Sequence, residues 1–380
     1  MIARTLEKRL RQQATKYPVV AVTGPRQSGK TTLVTTSFPD RPYVSLEDPD
    51  TRMLALDDPR GFIESLNAGT IIDEVQRVPD LISYMQTIVD REKIAGRFIV
   101  TGSNQFLLAK HVSQSLAGRI SILKLLPFTL KELCDLRPSR AADYIFNGSY
   151  PRIYDENHEP SGWYLNYIET YIEKDLKEFV NVLDLDNFRR CLALTASMCG
   201  QLINLSEIGG VLGISHNTAK VWLAALEQSY LVFRLQPYHR NFRKRVVKTP
   251  KLYFYDTGLA CALLRLRDPD MLDTHHFYGA LFENMVIADL RKQALHTTGI
   301  ADHFFWRDHK GREIDCIVED GGLLKAIEVK AAKTLKPEFF KALNYFCELA
   351  GLKPSDAMLV NGGNTRRTHR SMQVLPWSEL

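Results

Sequence analysis

Several features of membrane, secreted and zinc-binding proteins are missing from this sequence of 380 residues. No stretch approaches the roughly 18 uninterrupted apolar residues that a transmembrane helix needs. The six cysteines are scattered and form no C-x-x-C pair, which argues against a zinc knuckle and a disulfide framework. Residues 1–18 have the pattern of a charged amphipathic helix and lack the apolar core of a signal peptide. These absences predict a protein of the reducing cytoplasm with no membrane partner.

Acidic residues are also missing between Glu227 and Asp256, although the whole chain has a net charge of only +5. The basic residues in that window are Arg234, Arg240, Arg243, Lys244, Arg245, Lys248 and Lys251. They give the window a charge of +7, so the rest of the chain sums to 5 − 7 = −2. One basic patch on a nearly neutral chain indicates a local anionic partner.

Strand and helix patterns alternate over the first 130 residues. Apolar runs that predict strands lie at residues 18–23, 42–48, 69–76, 96–103 and 121–128. This alternation predicts an α/β fold class, with a parallel sheet covered by helices on both faces. Changes of pattern place boundaries near residues 138, 188 and 255. The expected domains are a P-loop domain (1–138), a helical lid or linker (139–188), a winged helix (189–255) and a mixed α/β domain (256–380).

The segment after the first predicted strand matches the phosphate-binding pattern G-x-x-x-x-G-K-[ST]. It comprises Gly24, Pro25, Arg26, Gln27, Ser28, Gly29, Lys30, Thr31 and Thr32. Glycines let the backbone N–H groups face the phosphates, and the N-terminus of the following helix favours negative charge. Lys30 is expected to reach the β- and γ-phosphates, and the Thr31 hydroxyl to bind Mg²⁺. The predicted ligands are therefore ATP and Mg²⁺.

Two acids end the third predicted strand, at Asp73 and Glu74. Next to a phosphate loop, Asp73 is expected to hold the Mg²⁺, directly or through water, and Glu74 to polarise the attacking water. A solvated acidic turn is the alternative. The next strand ends in Ser103 and Asn104, and Asn104 is expected to orient the attacking water, with Ser103 as the alternative.

A short motif precedes the fifth predicted strand and consists of Leu116, Ala117, Gly118 and Arg119. With the phosphate loop and the acidic strand, this order resembles the AAA+ ATPase superfamily. The resemblance implies that Arg119 is an arginine finger reaching the nucleotide of a neighbouring subunit. It then also implies a homo-oligomer, either a ring or another head-to-tail assembly. An ordinary surface arginine is the alternative.

Residues 204–223 read as a helix-turn-helix in which Gly213 ends the first helix. The run 230–245 predicts a two-stranded wing with a basic tip. Together the two segments resemble a winged helix, which implies contact with nucleic acid; a protein-docking module is the alternative. The residues expected at the nucleic acid are His216, Asn217, Lys220, Arg243, Lys244 and Arg245.

Acids and a lysine recur in a characteristic order near the C-terminus. Asp315 begins a predicted strand, and Glu328 and Lys330 share one face of the next, because strand side chains alternate. With Glu283 on the preceding helix, this order resembles the PD-(D/E)XK nuclease superfamily, although Ile314 stands where the proline is usual. The resemblance implies that Asp315, Glu328 and the accessory Glu283 bind Mg²⁺ or Mn²⁺, and that Lys330 is the catalytic lysine.

Taken together, the motifs resemble prokaryotic AAA+-type ATP-binding proteins with a nuclease-like C-terminal domain. The resemblance implies an ATPase that couples ATP hydrolysis to the handling of nucleic acid, with DNA preferred, and a metal-dependent nuclease domain. Two alternatives stay open: an ATP-dependent switch that binds a protein partner, and a transcriptional regulator. In both, the nuclease-like domain is catalytically idle.

Overall fold

The computed structural model describes residues 2–103, 115–172, 185–238 and 248–380. Within these ranges the chain forms two compact units. The first comprises residues 1–128, 228–230 and 293–299, and the second comprises residues 129–227, 231–292 and 300–380. The boundary expected at 138 thus comes ten residues after the main segment of the first unit (138 − 128), and those expected at 188 and 255 fall inside the second. No helix in the described ranges is both long and apolar enough to cross a membrane.

The first unit contains a parallel sheet, as the sequence predicts. Its strands are β1 (Val19–Thr23), β2 (Tyr43–Ser45), β3 (Thr70–Asp73), β4 (Phe98–Gly102) and β5 (Ile120–Lys124), in the order β2-β3-β4-β1-β5. Its helices are α1 (Leu6–Ala14), α2 (Lys30–Ser37), α3 (Pro49–Asp57), α4 (Pro59–Ser65) and α5 (Leu81–Glu92). The mixed α/β class is confirmed.

Alternation along β1 explains why helices cover both faces of this sheet. Val19 and Ala21 belong to one hydrophobic core, which includes residues of α5 such as Met85. Val20 and Val22 belong to a second core, which includes residues of α1 and α2. All strands are parallel, so their carboxyl ends meet at one edge. The residues after β1, β3 and β4 are thereby brought together.

The second unit contains a larger, mixed sheet. Its strands are β6 (Val232–Pro237), β7 (Lys251–Phe254), β8 (His303–Arg307), β9 (Glu313–Asp320), β10 (Leu323–Lys330), β11 (Ala357–Asn361), β12 (Arg367–His369) and β13 (Met372–Pro376). Their order is β12-β13-β11-β10-β9-β8-β6-β7. The helices that follow α5 in the described residues are α6 (Leu130–Leu133), α7 (Ala141–Asn147), α8 (Pro151–Asp155), α9 (Pro160–Tyr167), α10 (Leu185–Ser197), α11 (Leu205–Leu212), α12 (His216–Gln228), α13 (Thr257–Leu263), α14 (Pro269–Leu272), α15 (Tyr278–Thr297) and α16 (Lys341–Ala350).

The strand predicted to begin the wing is an inner strand of this large sheet. β6 pairs in antiparallel fashion with β7 and in parallel fashion with β8. The partner of β6 therefore starts at Lys251, beyond the run 230–245 in which the sequence suggests a complete two-stranded wing. Apolar side chains of β6, such as Val232 and Leu235, are buried, which explains why this strand joins the sheet. The basic residues Arg240, Arg243, Lys244 and Arg245 lie outside the described residues.

The helix-turn-helix pattern corresponds to α11 and α12. Asn204 caps α11 by accepting a hydrogen bond from the Glu207 backbone, and Gly213 ends it with a φ of 67°, in the left-handed region that glycine tolerates. The Ser215 hydroxyl accepts from the Thr218 N–H at 3.0 Å and so caps α12. Both helices are thus fixed by their local sequence.

Candidate functional site

The phosphate-loop segment connects β1 to α2. Gly24 is required there, because a Cβ at this position would lie 2.0 Å from the Leu125 carbonyl oxygen. Gln27 and Gly29 both have positive φ, of 60° and 87°. Lys30 is 5% exposed, and its Nζ donates to the carbonyl oxygens of Gly24 (3.2 Å) and Pro25 (2.9 Å). The loop therefore curls around the lysine ammonium, the arrangement in which a phosphate-binding lysine is expected.

Three hydroxyl groups surround the carboxylate of Asp73 at the end of β3. Thr31 Oγ1 donates to it at 3.0 Å, Tyr43 Oη donates at 2.8 Å, and Thr101 Oγ1 also donates. Burial and the neighbouring Asp73 raise the pKa of Tyr43 to about 12. The two residues predicted to bind Mg²⁺, Thr31 and Asp73, are therefore in direct contact. The sequence analysis did not identify Tyr43 or Thr101.

Glu74 lies just after Asp73, in a left-handed conformation with a φ of 56°. Its backbone N–H donates to Thr101 Oγ1 at 3.1 Å. Its carboxylate accepts hydrogen bonds from the Gln76 amide and from the Ser103 hydroxyl, the latter at 3.3 Å. Ser103, the alternative partner of the attacking water, is thus beside Glu74. Asn104 lies outside the described residues.

Arg119 lies at the amino end of β5, one residue before the pair Val19↔Ile120 that starts the β1–β5 ladder. The phosphate loop follows the opposite end of β1. A five-residue strand spans about 16 Å, which places the Arg119 backbone far from the loop of its own subunit. The guanidinium donates to Asp90 of α5, with an Nη2–Oδ2 distance of 2.9 Å. Contact with the nucleotide of a neighbouring subunit stays a prediction.

The predicted nucleic-acid residues divide into two groups. His216, Asn217 and Lys220 are exposed on α12, as expected, whereas Arg243, Lys244 and Arg245 lie outside the described residues. The basic window is also less available than its charge suggests. Arg234 is paired with Glu227 at 2.6 Å, and Lys251 is 3% exposed and paired with acids.

Asp315, Glu328 and Lys330, predicted to share a site, meet on the hairpin of β9 and β10. The strands pair with Ile327 opposite Cys316, so the same register places Glu328 opposite Asp315. Lys330 Nζ lies 2.6 Å from Glu328 Oε1 and 3.7 Å from Asp315 Oδ2. Asp315 also accepts the Val329 N–H at 2.8 Å. The three residues predicted on this hairpin therefore form one cluster, in which Asp315 and Glu328 are buried and Lys330 is partly exposed.

Helix α15 adds Glu283 to this cluster, and the structure adds Glu313. Carboxylate oxygens of Glu283, Glu313 and Asp315 lie within 4.8 Å of one another, which makes the three acids a possible metal-binding group. Glu313 is two residues before Asp315 on β9 and so shares its face. The i, i+2 spacing of Glu313 and Asp315 on a predicted strand is the signal in the sequence that indicates Glu313.

Strand β7 supplies two further residues that the sequence analysis missed. Tyr253 Oη donates to Glu283 Oε1 at 2.5 Å. Lys251 Nζ contacts Glu283 Oε1 at 3.0 Å and also contacts Glu313. Neither residue has a local motif, because β7 is brought to the acids only by the pairing of the sheet and by α15.

Burial and the mutual repulsion of the carboxylates make two acids of this cluster harder to ionise. Burial, followed by the charge of Asp315, raises the pKa of Glu283 to about 7 and that of Glu328 to about 8. Glu328 is 6% exposed, and among the described residues its Oε2 has no hydrogen-bond partner. Clustered carboxylate oxygens with an unused acceptor fit a hard divalent cation. Two of the predicted ligands, Glu283 and Asp315, belong to the group of three close carboxylates, whereas Glu328 contacts Lys330 and is not a member of that group.

Three protein families match successive segments of the chain. An AAA domain matches residues 16–134, a domain of unknown function (DUF8612) matches residues 139–270, and a domain of unknown function (DUF4143) matches residues 278–380. The AAA match contains the phosphate loop, Asp73 and Glu74. The first unit is therefore an AAA-type P-loop ATPase, and the chain is a nucleotide-binding ATP hydrolase.

Two relatives identify the family of the whole chain. They are "Uncharacterized protein Rv2008c" of Mycobacterium tuberculosis (strain ATCC 25618 / H37Rv) and "Uncharacterized protein Mb2031c" of Mycobacterium bovis (strain ATCC BAA-935 / AF2122/97). Each is 33% identical over 332 residues, which cover 86% of this chain and 73% of the relative. The chain therefore belongs to the same family as these two proteins.

Among solved structures, the chain is similar to the Walker-type ATPase PABY2304 of Pyrococcus abyssi. The identity is 15%, and the match covers 68% of this chain and 94% of the other with a TM-score of 0.44.

Proposed function

We propose that this ATPase couples ATP hydrolysis to metal-dependent cleavage of DNA in its C-terminal domain. The observation that carries the proposal is the convergence of Asp315, Glu328 and Lys330 on one hairpin, with Glu283 beside them. The ammonium of Lys330 lies within 4 Å of both hairpin carboxylates. Acids and a lysine in this arrangement suit hydrolysis of a phosphodiester bond.

In the first unit, each residue of the site has a separate role in ATP hydrolysis. Thr31 and Asp73 would hold Mg²⁺, which neutralises charge on the phosphates when bound. Lys30 lies within the phosphate loop and would contact the phosphate oxygens of ATP. Glu74 orients the attacking water and accepts its proton, while Ser103 holds the Glu74 carboxylate in place.

In the second unit, Glu283, Asp315 and Glu328 would hold Mg²⁺ or Mn²⁺, which lowers the pKa of bound water when present. Lys330 positions the attacking water and offsets the charge that develops on the phosphate. Glu328 orients the Lys330 ammonium through their 2.6 Å contact.

DNA would reach this unit through the exposed face of α12. His216, Asn217 and Lys220 on that helix suit a groove, and the basic residues between β6 and β7 suit phosphates. Arg119 would complete the nucleotide site of a neighbouring copy in a ring or other head-to-tail assembly. The six cysteines, all in the described ranges, are free, which suits the reducing cytoplasm.

The test is cleavage of labelled single- and double-stranded DNA with Mg²⁺ or Mn²⁺, with and without ATP. Wild type is compared with Asp315→Asn, Glu328→Gln and Lys330→Met. Asp320→Asn is the matched control, because Asp320 is an exposed acid at the other end of β9, the strand that carries Asp315.

The proposal predicts cleavage by the wild type and by Asp320→Asn, and loss of cleavage in the three cluster variants. Absence of cleavage by a wild type that still hydrolyses ATP would contradict it. DNA binding that persists without cleavage would then favour a transcriptional regulator, and absence of DNA binding would favour a switch that binds a protein.

A further inference from the structure

Lys251 is a buried lysine inside the acid cluster that no expected reaction uses. It is 3% exposed, and its Nζ lies 3.0 Å from Glu283 Oε1 and contacts Glu313 Oε1. The aromatic rings of Tyr253 and Phe305 lie about 6 Å from the ammonium, at 6.0 and 5.8 Å. A lysine is seldom buried this deeply unless acids hold its charge.

The two carboxylates that contact Lys251 also belong to the group of three acids that could bind a metal ion. The oxygens of Glu283, Glu313 and Asp315 fit within 4.8 Å, the spacing that one bound cation would require. An ammonium already touches two of these three acids. A divalent ion among the same oxygens would come within a few ångströms of Nζ, where two positive charges repel strongly.

Counting charges shows that the cluster still has room for a cation. The carboxyl groups belong to Glu283, Glu313, Asp315 and Glu328, and the ammonium groups belong to Lys251 and Lys330. With all four carboxyl groups ionised, as they would be around a bound cation, the formal sum is −4 + 2 = −2. The sum stays negative even when the Arg307 guanidinium, 3.4 Å from Glu313, is included. In the part of the chain that the structure describes, Glu328 Oε2 also lacks a hydrogen-bond partner.

We propose that Lys251 is a built-in cation that occupies the Glu283–Glu313 side of the acid cluster and competes with a divalent metal ion for these carboxylates. The inference rests on the proposed function, since it concerns the same metal site. It adds a residue that lowers the affinity of that site for metal. A metal ion can use Glu283 fully only when the Lys251 ammonium withdraws from it.

The test measures Mn²⁺ affinity directly, from the electron paramagnetic resonance signal of free Mn²⁺. The full chain carries Asp73→Asn and no nucleotide is added, so that the first site does not contribute. Lys251→Met should bind Mn²⁺ at least about 10-fold more tightly than the parent, because a repelling charge near the ion is removed. Adding Asp315→Asn should abolish the gain. Lys325→Met, an exposed lysine of β10, is the matched control and should change nothing.

Removal of Lys251 leaves two carboxylates without their counter-ion, which can prevent folding. A second pair of variants covers that case: Glu313→Gln, and Glu313→Gln with Lys251→Met. Tighter Mn²⁺ binding in the double variant than in Glu313→Gln again supports the competition. Equal or weaker binding on removal of Lys251, in a variant whose thermal unfolding shows that it folds, overturns it.

DNA cleavage is measured on the same variants as a separate readout. If removal of Lys251 tightens Mn²⁺ binding while no variant cleaves DNA, the competition is supported and only the proposed nuclease function fails. If the wild type cleaves DNA while removal of Lys251 leaves Mn²⁺ affinity unchanged, the proposed function stands and the competition is overturned.

Discussion

The two acidic sites of this chain differ in the groups that contact their carboxylates. In the first unit, hydroxyl groups of Thr31, Tyr43 and Thr101 donate to Asp73. In the second, lysine ammonium groups lie directly against Glu283 and Glu328. Hydroxyl groups leave the negative charge of Asp73 available to a cation, whereas ammonium groups neutralise part of the second cluster. Acids of similar type therefore face neutral hydroxyl groups at one site and lysine ammonium groups at the other.

The largest expected effect is a loss of ATP turnover that leaves the second site unchanged. Lys30→Ala removes the ammonium that the phosphate loop surrounds, so ATP turnover should fall by about 100-fold or more. Mn²⁺ affinity of the second unit, measured without nucleotide, should not change. Lys16→Ala, an exposed lysine before β1, is the control. Normal ATP turnover by Lys30→Ala would contradict the role of the phosphate loop.

A mixing experiment asks whether the first site, unlike the second, needs a neighbouring subunit. Glu74→Gln and Arg119→Ala should each lower ATP turnover by about 100-fold. In a mixture, an Arg119→Ala subunit keeps Glu74 and can receive Arg119 from a Glu74→Gln neighbour. Turnover above the sum of the separate variants is therefore expected. A mixture that shows only the sum would rule out Arg119 as a shared finger.

Tyr43→Phe removes one of the three hydroxyl groups that donate to Asp73, so a smaller effect is expected. The change removes one neutral donor, and Thr31 and Thr101 remain. We expect the Mg²⁺ concentration for half-maximal ATP turnover to shift by about 2- to 5-fold, which corresponds to one ordinary hydrogen bond. Tyr84→Phe on α5 is the control. No shift, or complete loss of activity, would show that Tyr43 has a different role.

The last expected effect concerns the free energy of unfolding of the second unit in acid. Burial, with a smaller contribution from Arg291, lowers the pKa of His303 to about 4. The unfolded chain binds a proton near pH 6.5 but the folded chain does not, so the free energy of unfolding should fall between pH 6.5 and 4. The loss is at most about 3 kcal/mol.

His303→Gln should flatten this pH dependence in urea unfolding, whereas His309→Gln, which changes an exposed histidine, should not. An unchanged slope in His303→Gln would show that other groups cause the acid sensitivity.

The first site was predictable because its chemistry is local in the sequence. Nine consecutive residues form the phosphate loop, and Asp73 ends a strand that the apolar run at 69–76 predicts. The residues that escaped prediction, Tyr43 and Thr101, reach Asp73 from adjacent strands. Their contacts depend on the strand order β2-β3-β4, which apolar runs alone do not specify.

The second site was predictable only where one hairpin creates it. Period-two alternation placed Glu328 and Lys330 on a shared face, and the turn brought them to Asp315. Lys251 was counted as part of a basic surface because charge alone does not reveal burial. Its true surroundings follow from the pairing of β6 with both β7 and β8, a long-range choice that no local pattern encodes.

The most direct test of the whole account is whether the ATP site controls chemistry at the acid cluster. The measurement is the rate of Mn²⁺-dependent cleavage of labelled DNA by the wild type and by Lys30→Ala, each with and without ATP. The account predicts that ATP changes the rate of the wild type, and that Lys30→Ala cleaves at the ATP-free rate of the wild type under both conditions. Equal rates for the wild type with and without ATP, or no cleavage at all, would contradict it.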